Sequence, residues 1–324
     1  MGRARPITVV LIAAFLGAVV ERGQAQDTFP SRLVTLVVPS PAGSTTDALA
    51  RIVADRLGRR WGKSVIVENN ARGLNAGGEQ VARAKADGYT LLVSPPLPLT
   101  IARLLYRDIG YDPARFAPVA LLAKIPNVLS VRSNLPVQSI KELVAYGKAN
   151  PEKLTYASQG IGSTAHLSGA QLEVRAGIKM VHVPYRGSAP ALNDIMAGNV
   201  DMFFDTLATS VPLYKAGKLR ILAVAGTERS EVLPEVPTIA ESGFPGFRSV
   251  TWFAMAAPPN TPSASTEKIN RDVMAVLQQP QFEAKLHELQ LEPMIGTPAD
   301  AAAWFAEETR LWGDVIREAH VSVP

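Results

Sequence analysis

The sequence predicts an α/β protein of two lobes, and three features carry that expectation. Short β-branched runs alternate with amphipathic helical stretches, the pattern of sheets flanked by helices. The 324 residues exceed what a single core usually fills. Between two such β/α series lies a long apolar stretch, Pro118 to Val131, which is able to leave one sheet and enter a second.

Residues 1–25 read as a secretory signal, with Arg3 and Arg5 ahead of the apolar run Ile7 to Val20. That run is shorter than the roughly 20 residues a spanning helix needs. Gly23-Gln24-Ala25 places cleavage before Gln26. The first lobe opens with the strand Val34–Val38, which stops at Pro39. From Ala48 to Trp61, Leu49, Ile52, Val53, Leu57 and Trp61 share a helical face opposite Arg51, Asp55 and Arg59. Val65-Ile66-Val67 and Tyr89–Val93 are the next strands, separated by a glycine-rich loop and a short helix through Ala84.

The second series begins with a helix capped by Ser139 that runs to about Asn150. Strands follow at Thr155-Tyr156-Ala157, Met180–Val183, Met202-Phe203-Phe204 (ending at Asp205) and Leu219–Val224, with helices at Ser163–Arg175 and Ala189–Ala197. Prolines break up 229–262. Helical periodicity resumes at Thr266–Leu277, Phe282–Leu289 and Ala299–His320, and these helices are expected to return to the first sheet. The expected organisation is a signal peptide at 1–25, a first lobe of 26–122 plus 226–324, and a second lobe of 123–225. Each lobe is a mostly parallel sheet flanked by helices, with a ligand cleft between lobes at the strands' carboxyl ends.

Composition excludes several functions. Without cysteine there is no disulfide, thiolate metal site or Cys nucleophile. Lys and Arg total 33 against 29 acidic residues, too balanced for a nucleic-acid protein. No G-x-S-x-G elbow, H-E-x-x-H helix or paired histidine occurs, so neither catalysis, a metal nor a cofactor is expected.

Two loops have the chemistry of anion sites. In the first, Ser40, Pro41, Ala42, Gly43, Ser44, Thr45, Thr46 and Asp47 join a strand to a helix start, where unpaired N–H groups and the dipole favour negative charge. It lacks the Gly-Lys-Ser/Thr ending of a nucleotide P-loop, and Thr46 or Asp47 is the expected cap. The second, Ser158 to His166, repeats that context with Gly160, Gly162, Ser163, Thr164 and His166, although His166 also suits packing beneath the loop. Gly160-x-Gly162-x-x-Ala165 formally matches a dinucleotide fingerprint, and Arg186 suits a 2′-phosphate. An exported NADP-dependent oxidoreductase using Gly160–Ala165 is therefore the alternative reading, against which the export signal counts. In Tyr185-Arg186-Gly187 the guanidinium can instead close on a carboxylate, and Asp205 can accept from a ligand or cap a helix. Trp252 and Phe253 are expected in the core rather than the cleft.

These motifs resemble the Bug-type periplasmic solute-binding proteins, the receptors of tripartite tricarboxylate transporters. The resemblance rests on the Pro39–Asp47 loop, Asp87-Gly88-Tyr89-Thr90-Leu91-Leu92, and Tyr156-Ala157-Ser158 with Gly160-x-Gly162-Ser163-Thr164-x-His166-Leu167. It continues through Val183-Pro184-Tyr185-Arg186-Gly187, Gly198-x-Val200-Asp201, Phe204-Asp205, Pro237-Thr238-x-x-Glu241-x-Gly243, and Trp252 with Pro258. It implies a two-lobed type II periplasmic binding-protein fold that closes on a small carboxylate, held by backbone N–H groups and water at Ser40–Thr46 and Gly160–His166. A membrane transporter or a sensor kinase would then be the partner of a monomeric receptor. The chain departs from the pattern at Gly43-Ser44, at Asn70-Ala71-Arg72-Gly73-Leu74 and at Ser94-Pro95-Pro96-Leu97-Pro98. Prolines lack N–H donors, so the wall near Ser94 is expected to be less polar and to favour an acid with an apolar body over citrate.

Overall fold

The computed structural model describes residue 2 and residues 29–323 save 71 and 73; apart from residue 2, the expected signal segment lies outside the described residues. The chain begins β1 (Val34–Val38), α1 (Thr45–Trp61), β2 (Val65–Asn69), α2 (Leu74–Ala82) and β3 (Thr90–Ser94). A π-turn at Leu97–Ile101 runs into the single-turn helix α3 (Ala102–Leu105). The 16-residue β4 (Ala117–Arg132) leads to α4 (Ile140–Ala149), β5 (Leu154–Ser158), α5 (Thr164–Ala176), β6 (Met180–Pro184) and α6 (Ser188–Ala197). Then come β7 (Met202–Thr206), α7 (Leu207–Lys215), β8 (Leu219–Val224), β9 (Val250–Ala257), α8 (Ser263–Leu277), α9 (Pro280–Glu288), β10 (Glu292–Pro293) and α10 (Pro298–Glu318).

The fold is the two-lobed α/β arrangement. One sheet has the order β2-β1-β3-β9-β4 with β10 also on β4; the other runs β6-β5-β7-β4, with β8 on the far side of β4. The two halves repeat one plan: β1 lies parallel between β2 and β3, and β5 parallel between β6 and β7. Both sheets are mixed rather than mostly parallel, because the crossing strands enter antiparallel: β9 runs against β3 and β4, and β4 against β7 and β8. A strand that leaves one sheet and another that returns to it must run in opposite directions.

As its length indicates, β4 serves both sheets. Pro126 pairs with Val250 of β9, whereas Asn127 pairs with Thr206 of β7. The segment after β8 does not return at 226. It stays against β8, where Val224 N–H donates to the Pro237 carbonyl and Ile239 N–H to the Val224 carbonyl, both at 2.9 Å. Leu233, Val236 and Ile239 bury their side chains there, so the chain goes back to the first sheet only at Val250.

The three C-terminal helices pack on the first sheet. Asn270 of α8 donates to the Val119 carbonyl at 2.9 Å, and Ala301 of α10 lies with Val37, Leu92 and Trp252 in one apolar cluster. Trp252 is fully buried, as expected, and its indole and that of Trp312 both donate to Glu308 Oε2, at 2.8 and 3.0 Å. A separate cluster joins the halves: Leu97, Ile101 and Leu105 pack with Leu167 of α5 and with Trp312 and Ile316 of α10.

Where the chain crosses, polar side chains close a ring. Asn127 Nδ2 donates to Ser249 Oγ at 2.7 Å, and Thr251 Oγ1 donates to Asn127 Oδ1 at 3.0 Å. Ser168 Oγ lies 2.5 Å from Ser249 Oγ and 2.6 Å from the Thr164 carbonyl, while the Thr164 and Thr251 hydroxyls are 3.0 Å apart. Asn127, Ser168 and Ser249 are essentially inaccessible to solvent, so each hydroxyl depends on its neighbour in the ring. Asn127→Leu should leave the Ser249 and Thr251 hydroxyls short of a partner and cost about 2–4 kcal/mol, read as a lowered denaturant midpoint. An unchanged midpoint would mean that water replaces the amide.

Candidate functional site

A cavity of about 760 Å³ opens where the carboxyl ends of β1 and β3 face those of β5 and β6. Its walls include Ser40, Pro41, Ser44, Thr45 and Thr46 from one half, and Gly160, Ser163, Thr164, Tyr185 and Arg186 from the other. Two helices begin there with the same local chemistry.

Ser44 is the cap of α1, which starts at Thr45, three residues earlier than the apolar period indicates. Its Oγ accepts from the Asp47 N–H at 3.2 Å, and Asp47 Oδ2 accepts in return from the Gly43 N–H at 2.9 Å. At α5, Ser163 Oγ accepts from the His166 N–H at 3.3 Å, and His166 Nδ1 from the Gly162 N–H at 3.1 Å. Gly43 and Gly162 both hold positive φ, +83° and +81°, a conformation in which a side chain is strained. Each turn thus ties the amide before its cap to the third helical residue. Among the described residues, the N–H groups of Thr45, Thr46, Thr164 and Ala165 have no acceptor. Such amides at the positive end of a helix are an anion site.

Several expected site residues support this geometry from behind. Asp47 is buried; burial opposes its charged form, but bonds from Arg51, Gly43 and Asn69 and the Arg51 charge hold its carboxyl below the usual range. Gly162 and His166 lie outside the cavity lining, and the Gly162 N–H is already committed to the imidazole. That commitment also removes the amide a Gly-x-Gly dinucleotide turn would aim at a pyrophosphate. Ala42 and Gly43 are exposed beside the lining rather than in it. Ser94 is fully buried and donates to the Pro95 carbonyl at 2.9 Å.

Asp205 lies within β7 rather than beyond it and is fully buried. It accepts from Gln159 Nε2 at 3.0 Å, Ser188 Oγ at 2.7 Å and Thr209 Oγ1 at 2.5 Å, drawing three elements together behind the cavity wall. Burial pushes its carboxyl up against those donors.

His166 stacks on His182 with centroids 3.9 Å apart, and the Tyr156 ring lies 4.9 Å from His182 and 6.4 Å from His166. Ser158 Oγ is 2.7 Å from His182 Nε2. Burial pushes His166 down to about 4; burial and the neighbouring His166 push His182 down to about 3. The pair is therefore neutral at ordinary pH, with His166 in the Nε2–H form that lets Nδ1 accept.

Sequence reasoning did not anticipate Arg72, Glu79, Tyr106, Thr251 and Phe253 on the cavity wall, which Gln159 and Ile161 of the second loop also line. Phe253 follows Trp252 in β9, and strand alternation sends one ring to the cleft and the other to the core. The Pro95-Pro96-Leu97 wall is apolar, as its sequence implies. Among the described residues, no helix is long and apolar enough to cross a membrane.

The sequence model of the tripartite tricarboxylate transporter family receptor, TctC, matches residues 49–321. The chain belongs to this receptor family. Protein BugT of Bordetella pertussis (strain Tohama I) is 34% identical over 295 residues, covering 90% of each chain. Among solved structures, R. palustris Rpa4515 with adipate is 40% identical with a TM-score of 0.84, covering 91% of this chain and 99% of that one. MatC (Rpa3494) from Rhodopseudomonas palustris, with bound malate, is 32% identical with a TM-score of 0.80 over 89% of this chain and 100% of that one. The chain is thus a Bug-type solute-binding receptor of the periplasmic binding-protein fold.

The buried histidines make stability pH-dependent. Both have folded values below the ordinary value of about 6.5, so the unfolded chain binds more protons on acidification. Their contribution is complete above about pH 6.5 and is lost as pH falls toward their folded values, at up to about 1.4 kcal/mol per unit for each ring. Between pH 6.5 and 5 the denaturant midpoint should fall more steeply for the wild type than for the His166→Asn/His182→Asn variant. Equal slopes would place protonated imidazoles in the folded state.

Proposed function

We propose that this protein is an exported, periplasmic receptor that closes on a small organic carboxylate with an apolar body and presents it to a membrane transporter or a sensor. One observation carries the reading: two helix starts with unfilled amides line the same cavity, one from each half. A carboxylate has two oxygens and can satisfy both ends only when the halves approach, so its extra contacts favour the closed form. We place the moving bodies at about 29–126 plus 250–323 and at 127–249, following the change of strand partners. The adipate and malate in the two R. palustris structures support an acid as the ligand class. The proline wall and Phe253 favour an apolar body over the crowded polar groups of citrate.

Calorimetry on the purified protein with adipate, malate, citrate and NADPH tests this. Adipate should bind most tightly, citrate weakly and NADPH not at all; tight citrate with silent adipate would overturn the apolar-body reading, and tight NADPH the receptor reading. Gly162→Val should abolish adipate binding, because a Cβ there would meet Leu105 Cδ1 at 2.7 Å and Leu97 Cδ1 at 2.9 Å and wedge the halves apart. His287→Ala, in α9 away from the cavity, should leave affinity unchanged. Retained affinity in the valine variant would move the closing contact elsewhere.

A further inference from the structure

Charge joins the two halves at one place. Divided where the strands change partners, at 126/127 and 249/250, the described residues form ion pairs that stay within a half, with one exception. Arg248 Nη2 lies 3.1 Å from Glu307 Oε1 and 2.8 Å from Glu308 Oε1, both on α10. Arg248 stands two residues ahead of β9, at the crossing itself.

Each member is fixed to its own half. On one side Phe247 is buried and stacks on Phe204 of β7 with centroids 6.0 Å apart, and the Ser249 N–H donates to the Ala225 carbonyl at 2.8 Å. On the other, Glu308 Oε2 accepts from the indoles of Trp252 and Trp312. The Arg248 guanidinium also lies over the Trp304 ring, 5.4 Å from its centroid. The Glu308 side chain is 3% exposed, so it depends on this guanidinium rather than on water. Burial pushes its carboxyl up, which the two indoles and the Arg248 charge oppose. None of Arg248, Trp304, Glu307 and Glu308 lines the cavity.

A rotation that parts the halves takes Arg248 with one and Glu308 with the other. It would leave a buried carboxylate without its cation, a costly state. The pair is made in the arrangement in which the halves also touch at the cleft: a Cβ on Gly162 would meet Leu105 at 2.7 Å and Leu97 at 2.9 Å.

We propose that Arg248 and Glu308 form a hinge clamp that favours the closed arrangement, which makes both of them positioning residues for ligand capture. This rests on the reading of a receptor that closes on its guest. The clamp acts through the balance between arrangements, so its loss lowers affinity without removing a ligand contact.

The test compares the wild type with Arg248→Met, Glu308→Gln, the double variant and Arg248→Lys, by calorimetry with adipate and by small-angle scattering with and without it. Arg248→Met and Glu308→Gln should each weaken adipate about tenfold, chiefly as faster release, and should raise the radius of gyration of the ligand-free protein. The double variant should be no weaker than either single one, because the two act as a pair, and Arg248→Lys should recover most of the affinity. Glu308→Gln keeps an acceptor for both indoles, so it carries the test even where Arg248→Met fails to fold. Unchanged or tighter adipate binding in Glu308→Gln, with an unchanged radius of gyration, would overturn the clamp and leave the receptor standing. If the wild type neither binds adipate nor contracts with it, the adipate-receptor reading falls, and the ligand-free radii still decide the clamp.

Discussion

The architecture turns on backbone amides that helix geometry leaves without partners. The first N–H groups of any α-helix lack intrahelical acceptors, and a serine cap serves only some of them. Here the cap takes the third, and a glycine held at positive φ directs the preceding amide onto the side chain of that same residue. Of the amides that remain, those of Thr45, Thr46 and Thr164 belong to residues that line the cavity. Asp47 performs this tying in one half and His166 in the other, so chemically different side chains produce one backbone geometry. Their burial follows from that role: a group that fixes a turn sits beneath it, not in front of it.

The connection between halves is of the same kind. Two strands cross, and the side chains at the crossing are small and polar rather than apolar. Thr164 belongs to the first turn of α5, and Thr251 lies on the return strand; both line the cavity and both join the ring around Asn127. Directional hydrogen bonds permit a limited set of arrangements, whereas an apolar junction would slide. The cluster of Leu97, Leu105, Leu167 and Trp312 adds an apolar contact between the halves. An occupant of the α5 start thus touches a residue that is itself bonded to the crossing.

Much of the frame is legible in the sequence because each element declares itself locally. Pro118 to Val131 is too long for one small sheet, and β4 indeed divides its partners at Asn127. The helical face of Leu49, Val53 and Leu57 is buried as its spacing implies. Boundaries are harder to read. Thr45 and Thr46 look like loop, and only the cap from Ser44 places them in the helix. Asp205 looks like an acid beyond a strand, yet donors from Gln159, Ser188 and Thr209 converge on it from distant segments, and nothing adjacent in sequence announces them. Gly162 has the spacing of a phosphate turn, but its amide is consumed by an imidazole four residues on. The proline-broken segment from 226 is expected in the first lobe, but its hydrogen bonds to Val224 keep it with the second sheet.

If the ligand's acid group rests on the orphan amides of the two helix starts, amide resonances report on it most directly. Titration of isotopically labelled protein with adipate should shift the amide signals of Thr45, Thr46, Thr164 and Ala165 downfield together, with a common saturation curve, as charge-assisted hydrogen bonds form. Saturable binding that leaves those four signals in place would contradict the account, because the acid would then be held by other groups.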